Sequence, residues 1–306
     1  MDGDRHLFIV GLPRTGTKLT RSILESSRSA RIGLSPETWF LGDLFRSGIR
    51  ARIRRIGDMT EDGNVRSLVE EMYHGNIERT FWRELGSGGL PVQKDALLKG
   101  LLASDRTDRA IYDVLLTVTA EARLGRNNGR NLVVGDKMPG NLYHVPTLVE
   151  WFPNARIVHT FRDPRAILAS EWKRLMSRRE PGLSRRITNP FYSMMVVLYI
   201  TITWLYAIRL HRKYSALFPR NYRLFKYEDL VEKPADSVRE LCEFIEIEFD
   251  ERMLAPARKG SSFDQTETTG FDRDAVSRWK TQLKPWMRTW LAFWGGRSMK
   301  EFGYLR

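Results

Sequence analysis

The chain contains one cysteine, Cys242. That excludes an internal disulfide, and with it a stapled secreted scaffold, and it is too few for a cysteine-based zinc site. Long apolar runs are also scarce. The N-terminal stretch MDGDRHLFIVG has no extended apolar segment, so neither a signal peptide nor an anchor is expected. The most membrane-like stretch, Met194 to Ile208, is 15 residues long, against the roughly 20 that a spanning helix needs. It is expected to be a buried core helix, and the expected compartment is the cytoplasm, with peripheral membrane contact left open. Acidic residues are in deficit: 37 against 50 basic ones leave a formal net charge of +13, and 38 of the basic residues are arginine. Arginine presents a planar fork that grips phosphate, sulfate and carboxylate bidentately, whereas lysine acts more as a point charge. Anionic partners follow: a nucleotide, a nucleic acid, a sulfated or phosphorylated substrate, or an anionic membrane surface.

What the chain does have is enough apolar residue, 42% of 306, to build the core of one large α/β domain. Short β-rich runs at His6–Val10, Asn131–Val134, Arg156–Phe161 and Tyr222–Phe225 each lead into a turn and a helical pattern. Strand-then-helix repetition predicts an α/β fold with a P-loop-type central parallel sheet flanked by helices. In such sheets ligands bind at the carboxyl ends of the strands, where polar clusters follow all four runs. Helical patterns at Val65–Arg83, Ala96–Ala103 and Arg106–Arg123 read as an insertion, about residues 40–130, that caps the cleft of a single domain spanning 1–306. Near the C-terminus, Trp286, Trp290 and Trp294 recur at helical spacing and are expected to be packing residues.

Two motifs carry chemistry. In Gly11-Leu12-Pro13-Arg14-Thr15-Gly16-Thr17-Lys18, a strand enters a glycine-containing loop and then a helix, which makes an anion cradle of backbone N–H groups. An ATP-type P-loop places lysine directly after the second glycine. Here Thr17 holds that position and Lys18 follows, so the usual phosphate lysine and magnesium-holding hydroxyl are out of order. The alternative is a tight strand–helix turn without a ligand. In Arg162-Asp163-Pro164-Arg165-Ala166-Ile167-Leu168-Ala169-Ser170, an arginine stands at a strand end and a serine on the following helix, with Arg174 one turn beyond. Two anion sites at the ends of two parallel strands imply a ligand phosphorylated at both ends.

With these motifs in place, the chain resembles the sulfotransferases that use 3′-phosphoadenosine 5′-phosphosulfate (PAPS). GLPRTGTKL is similar to their 5′-phosphosulfate loop, which implies nucleotide contacts at Arg14, Thr15, Gly16, Thr17 and Lys18. RDPRAILAS resembles their 3′-phosphate motif, which implies Arg162 and Ser170 as phosphate-binding residues. The intervening DKMPGNLYHVPTLVEWFPNARIVHTFRDPR follows the family pattern, and KYEDLVEKP resembles a segment whose tyrosine, here Tyr227, lies at the nucleotide. Ser262-Phe263-Asp264-Gln265 with Ser277-Arg278-Trp279 is similar to tyrosylprotein sulfotransferases and implies Ser262 and Arg278 as nucleotide contacts. The motifs run from Gly11 to Trp279 and so cover most of the chain.

The resemblance implies in-line transfer of a sulfuryl group from PAPS to an acceptor hydroxyl or amine, on a carbohydrate, lipid, small alcohol or peptide tyrosine, with no metal. Arg14 and Lys137 match catalytic basic residues of the family, and Glu37 matches the catalytic glutamate of the tyrosylprotein branch. Glu37 also reads as a helix first-turn carboxylate, since Ser35-Pro36-Glu37 has the form of an N-cap. The cytosolic branch uses a histidine base after a Lys-Thr pair; here Met138 and Pro139 follow Lys137, which favours the carboxylate. His159 is expected in the core and His144 on a helix face. The arginine clusters Arg46, Arg50, Arg52, Arg54, Arg55 and Arg174, Arg178, Arg179, Arg185, Arg186 read either as a solvated face or as a docking surface for an acidic substrate or bilayer. The competing readings are a P-loop nucleotide-dependent kinase, which the order Gly16-Thr17-Lys18 opposes, and a basic nucleic-acid-binding protein, for which no reading element is present.

Overall fold

A computed structural model describes residues 5–74, 92–125, 132–177, 189–259 and 267–305. Its centre is a five-stranded sheet of β1 (Arg5–Gly11), β2 (Arg31–Pro36), β3 (Leu132–Lys137), β4 (Arg156–Phe161) and β5 (Tyr222–Lys226), in the order β2-β3-β1-β4-β5. Every pairing is parallel. The apolar content of the strands explains this, because a parallel sheet must be covered on both faces. In β1, Phe8 and Val10 enter one core cluster while Leu7 and Ile9 enter the other, as a period of two requires. From β1 the chain crosses to β2 on one side, while β4 and β5 lie on the other. The crevice at the carboxyl end of β1 is therefore bordered by the ends of β3 and β4.

Four of the five strands coincide with those read from sequence; Arg31–Pro36 does not. Its segment RIGLSP carries little β signal because glycine and proline interrupt it. Gly33 is there for packing: a Cβ on it would stand 2.4 Å from Cβ of Ala120. The helices in chain order are α1 (Thr17–Glu25), α2 (Ile49–Ile56), α3 (Asp62–His74), α4 (Lys94–Ala103), α5 (Asp108–Leu124), α6 (Val145–Trp151), α7 (Pro164–Ser177), α8 (Pro190–Leu217), α9 (Tyr227–Glu232), α10 (Pro234–Ile245), the single turns α11 (Asp274–Ser277) and α12 (Trp279–Gln282), and α13 (Pro285–Glu301). Helices α2 to α5 are the predicted insertion between β2 and β3. Their apolar faces, including Ile53, Leu68, Leu101 and Leu115, join the cluster over the Phe8 face of the sheet.

Two expectations change. The Met194–Ile208 stretch belongs to a helix of 28 residues, and only its inner face is core. Trp204 on that face stacks on Phe161 with centroids 5.5 Å apart, and its indole N–H donates to the Arg162 carbonyl at 3.0 Å. Of the tryptophan stripe of α13, Trp290 packs half-buried against the core as expected, but Trp286 and Trp294 are exposed, and the buried side is Met287, Leu291, Gly295 and Met299. The helices close where Gly295 meets Trp204, with a Cβ position 3.3 Å from the indole. That contact turns the neighbouring tryptophans outward.

A polar knot lies in the core beside the ends of β2 and β3. Asp136 is fully buried. Its carboxylate accepts the Thr38 hydroxyl at 2.5 Å and the Tyr112 hydroxyl at 3.0 Å, with longer contacts from the Thr38 N–H and the Asn141 amide, each at 3.4 Å. Burial nevertheless pushes this carboxyl up to about 6, with the Thr38 and Tyr112 hydrogen bonds opposing.

Two outcomes are expected. Because Asp136 holds its proton more tightly folded than unfolded, its contribution to stability is present below about pH 4 and is lost as pH rises to about 6, a change of roughly 3 kcal/mol. In urea titrations from pH 4 to pH 7, the difference between wild type and Asp136→Asn should show that change; a pH-independent difference would refute it. Gly33→Ala should cost about 1–3 kcal/mol through overpacking against Ala120, read as a lower urea midpoint.

Candidate active site

The first motif forms the turn from β1 into α1. Arg14 (φ 72°) and Gly16 (φ 103°) both take positive backbone angles, which turns the chain sharply at the carboxyl end of β1. Gly16 caps α1 without a side-chain cap, and no acidic residue lies in the first turn. The first N–H groups of a helix have no intrahelical acceptor and carry the positive end of its dipole, so this terminus suits an anion. Thr15 does not face outward: its buried hydroxyl donates to the Leu12 carbonyl at 2.7 Å and lies 2.8 Å from the Thr160 hydroxyl, fastening the loop to β4. Thr17 is buried and Lys18 is exposed.

The second motif meets the first directly. Arg162, just past β4, is buried, with its guanidinium 4.0 Å from the Tyr227 ring centroid. It donates to the carbonyls of Arg14 (3.1 Å) and Ala275 (2.7 Å). Its Nε is buried with no hydrogen-bond partner. The Tyr227 ring lies on Gly16, where a Cβ would come 2.6 Å from the ring edge. From α7, Ser170 accepts the Arg14 Nε–H at 2.9 Å. Burial lowers the Arg14 pKa; Glu171 opposes this, and Arg174 and Arg162 add to it. Gly16, Arg14, Arg162, Ser170 and Tyr227, spread over more than 200 positions, thus form one cluster.

Two predicted cations are held back by acids. Arg174 folds onto Glu171, with Nε donating to Oε2 at 2.8 Å and Nη2 to Oε1, and the Glu171 hydrogen bond raises its pKa. Arg278 donates to both Asp272 oxygens, at 2.9 and 2.8 Å. Ser262 lies outside the described residues, as do Arg178, Arg179, Arg185 and Arg186.

The carboxylate and lysine meet at the neighbouring strand ends. Pro36 pairs with Lys137 in the β2–β3 register, and the Glu37 N–H donates to the Lys137 carbonyl at 3.2 Å. The fully buried Lys137 donates from Nζ to Glu37 Oε1 at 2.6 Å. Glu37 has φ 40°, a left-handed conformation that costs energy for a non-glycine residue and recurs at functional sites. The helix-cap reading of Glu37 does not hold, because β2 ends at Pro36 and α2 begins only at Ile49. The Met138 N–H donates to the Ile9 carbonyl, so Lys137 sits beside β1, close to where the Gly11 loop begins.

Sequence reasoning missed the groups that brace these residues. Asp163 forms a fork with Arg165, which stacks on Trp279 at 3.8 Å and donates to the Tyr304 carbonyl at 2.7 Å. Buried Glu228, its pKa raised by desolvation, accepts the Asp163 N–H at 3.0 Å and the Tyr304 hydroxyl at 3.1 Å. Glu171 was signalled only by its three-residue spacing from Arg174 on a helix. His159 is the core histidine expected: it is fully buried, its pKa is pushed down to about 3 by burial, and it bonds Tyr222. His144 ends the 3-10 turn Pro139–His144.

A family model described as the sulfotransferase family matches residues 6–251. An uncharacterised protein of Aquifex aeolicus (strain VF5) is 22% identical over 286 residues, covering 92% of this chain and 31% of that protein. The chain therefore spans about a third of the length of that curated relative. Among solved structures, the sulfotransferase domain from the Synechococcus PCC 7002 olefin synthase superposes with a TM-score of 0.53 at 19% identity, covering 95% of this chain and 94% of the other. The sulfotransferase domain from the curacin biosynthetic pathway gives 0.53 at 19% identity, covering 95% and 96%. These structures share the parallel-sheet fold described above. A match over residues 6–251 takes in both anion motifs, four sheet strands and all but the first residue of β1, and by it the chain belongs to the sulfotransferase family.

Proposed function

We propose that this sulfotransferase takes its sulfuryl group from PAPS and delivers it to an acceptor hydroxyl or amine, with Glu37 as base. The observation that carries the reading is the joining of Arg162 and Ser170 to the Gly11–Gly16 loop through Arg14, with Tyr227 packed on Arg162 and Gly16. A donor set with one anion cradle at a helix start and a second cationic group at the next strand end suits a nucleotide bearing phosphate at both its 5′ and 3′ positions. The buried, unpartnered Nε of Arg162 supports this fit, because a buried donor is rarely left without an acceptor. So does the closeness of Tyr227 to Gly16, which admits no larger residue.

In this reading the loop N–H groups and Arg14 hold the 5′ end, and Arg162 and Ser170 hold the 3′ phosphate. Arg174 and Arg278 serve more distantly, since Glu171 and Asp272 already engage them. PAPS supplies an activated sulfuryl group when bound. Glu37 takes the acceptor proton: Lys137 holds Oε1, and Oε2 is the oxygen assigned to that proton. Arg14 and Lys137 place fixed positive charge where negative charge accumulates, with no reorganisation at the moment of reaction. The left-handed backbone at Glu37 and the Asp136–Thr38 bonds fix the direction of the carboxylate.

Calorimetry with PAP, the desulfated nucleotide, tests the binding half. Arg162→Ala should weaken PAP by about 10- to 100-fold, as loss of charge-assisted hydrogen bonds implies, and Ser170→Ala by several-fold. Equal or absent affinity in all three proteins would overturn the donor assignment. For catalysis, Glu37→Gln should lower kcat by roughly 10²–10⁴-fold with PAP affinity intact. Full turnover by that variant would remove Glu37 as base.

A further inference from the structure

The outward face of α8 is apolar, continuous and uncovered among the described residues. Phe191, Met195, Tyr199, Ile202 and Tyr206 recur at intervals of four, four, three and four, which places them on one helical face. Phe191 is 74% exposed and Ile202 64%. Phe45, from the segment between β2 and α2, is 70% exposed and extends the face sideways, its ring 5.9 Å from that of Tyr199. Soluble monomers rarely present contiguous apolar patches of this kind without a partner.

The charge along the helix itself is basic, while Asp43, which accepts the Phe45 and Arg46 N–H groups, and Glu171 border its Tyr199 end. Three and seven residues beyond Tyr206, the same face continues into exposed Arg209 and Lys213. No aspartate or glutamate occurs anywhere in Pro190–Leu217. Exposed Arg46 follows Phe45 and stacks over Trp39 at 5.6 Å. The helix is long and apolar enough to cross a bilayer, but its inner face is committed to Phe161, α13 and the core. An element with one face fixed to the protein and the other apolar with basic flanks is suited to lie in an interface rather than to span it.

We propose that this face docks the protein peripherally on an anionic phospholipid surface. Phe191, Met195, Ile202 and Phe45 enter the headgroup–acyl boundary, and Arg46, Arg209 and Lys213 meet the lipid phosphates. The occupant follows from charge: the patch and its flanks offer apolar surface and positive charge together, and the whole chain carries +13. Tyr199 stands within the electrostatic reach of Asp43, Glu171, Arg46 and Arg174, so the docked face borders the end of α7 that carries Ser170 and Arg174.

Co-sedimentation of the full chain with vesicles tests this. Vesicles of phosphatidylcholine alone are compared with vesicles containing about a third phosphatidylglycerol. The protein should bind the anionic vesicles at least about tenfold more tightly, and added salt should weaken that binding. Phe191→Glu/Ile202→Glu should lower binding to both kinds of vesicle by about tenfold or more, and Arg209→Glu/Lys213→Glu should abolish the anionic preference. Melting temperature and PAP affinity should be unchanged in both variants. Absence of binding by wild type, or equal binding by wild type and both variants, would overturn the proposal. So would a dimer that Phe191→Glu/Ile202→Glu dissociates in sedimentation velocity without any vesicle binding, which would assign the face to a second copy of the chain.

Discussion

The site rests on burying positive charge at the ends of adjacent parallel strands. Lys137 and Arg162 are both withdrawn from water, and an arginine cannot shed its proton to escape the cost. Each must therefore be met by oxygen from the chain. Lys137 receives the Glu37 carboxylate, and Arg162 receives the carbonyls of Arg14 and Ala275. These bonds do more than compensate desolvation. The Arg162–Arg14 bond ties the cradle to the end of β4, and the Arg162–Ala275 bond draws in the C-terminal segment. The Lys137–Glu37 bond stabilises a backbone angle that Glu37 would otherwise avoid. The geometry of the cluster is thus a consequence of the electrostatics of burial.

Much of this was legible in the residue order because it depends on local rules. Strands β1, β3, β4 and β5 announce themselves by apolar runs and by the polar clusters that follow them. Arg14, Arg162 and Ser170 stand in motifs that follow strand ends, whereas Tyr227 was named through the family resemblance of KYEDLVEKP. β2 was missed because its place is secured by a close approach, Gly33 against Ala120, which no β-propensity records. Removing the helix-cap reading of Glu37 needed the β2–β3 register, a contact between positions about 100 apart. The pairing of Arg174 with Glu171 and of Arg278 with Asp272 depends on which acid a turn brings close. The exposure of Trp286 and Trp294 depends on where one glycine lets two helices meet.

The surplus of arginine becomes intelligible once its planar shape is considered along with its charge. Some of it is structural: Arg50 lies over Trp151 at 5.3 Å, Arg109 over Phe152 at 5.9 Å, Arg165 over Trp279 at 3.8 Å and Arg239 over Phe249 at 4.4 Å. A guanidinium can stack on a ring while its edge still reaches an acid, as Arg50 does with Asp108 at 2.5 Å and Arg165 with Asp163 at 2.6 Å. Lysine has no such second face, which explains why the basic residues are mostly arginine. Stacked and paired arginines are neutralised locally or used as packing, so they contribute little to any outward field. Arg209 and Lys213 continue the apolar face of α8, in a helix that carries no acid, and Arg46 adjoins Phe45. Exposed apolar surface is costly to maintain in water, and under the proposed docking an anionic interface would cover it while giving the basic flanks phosphate partners.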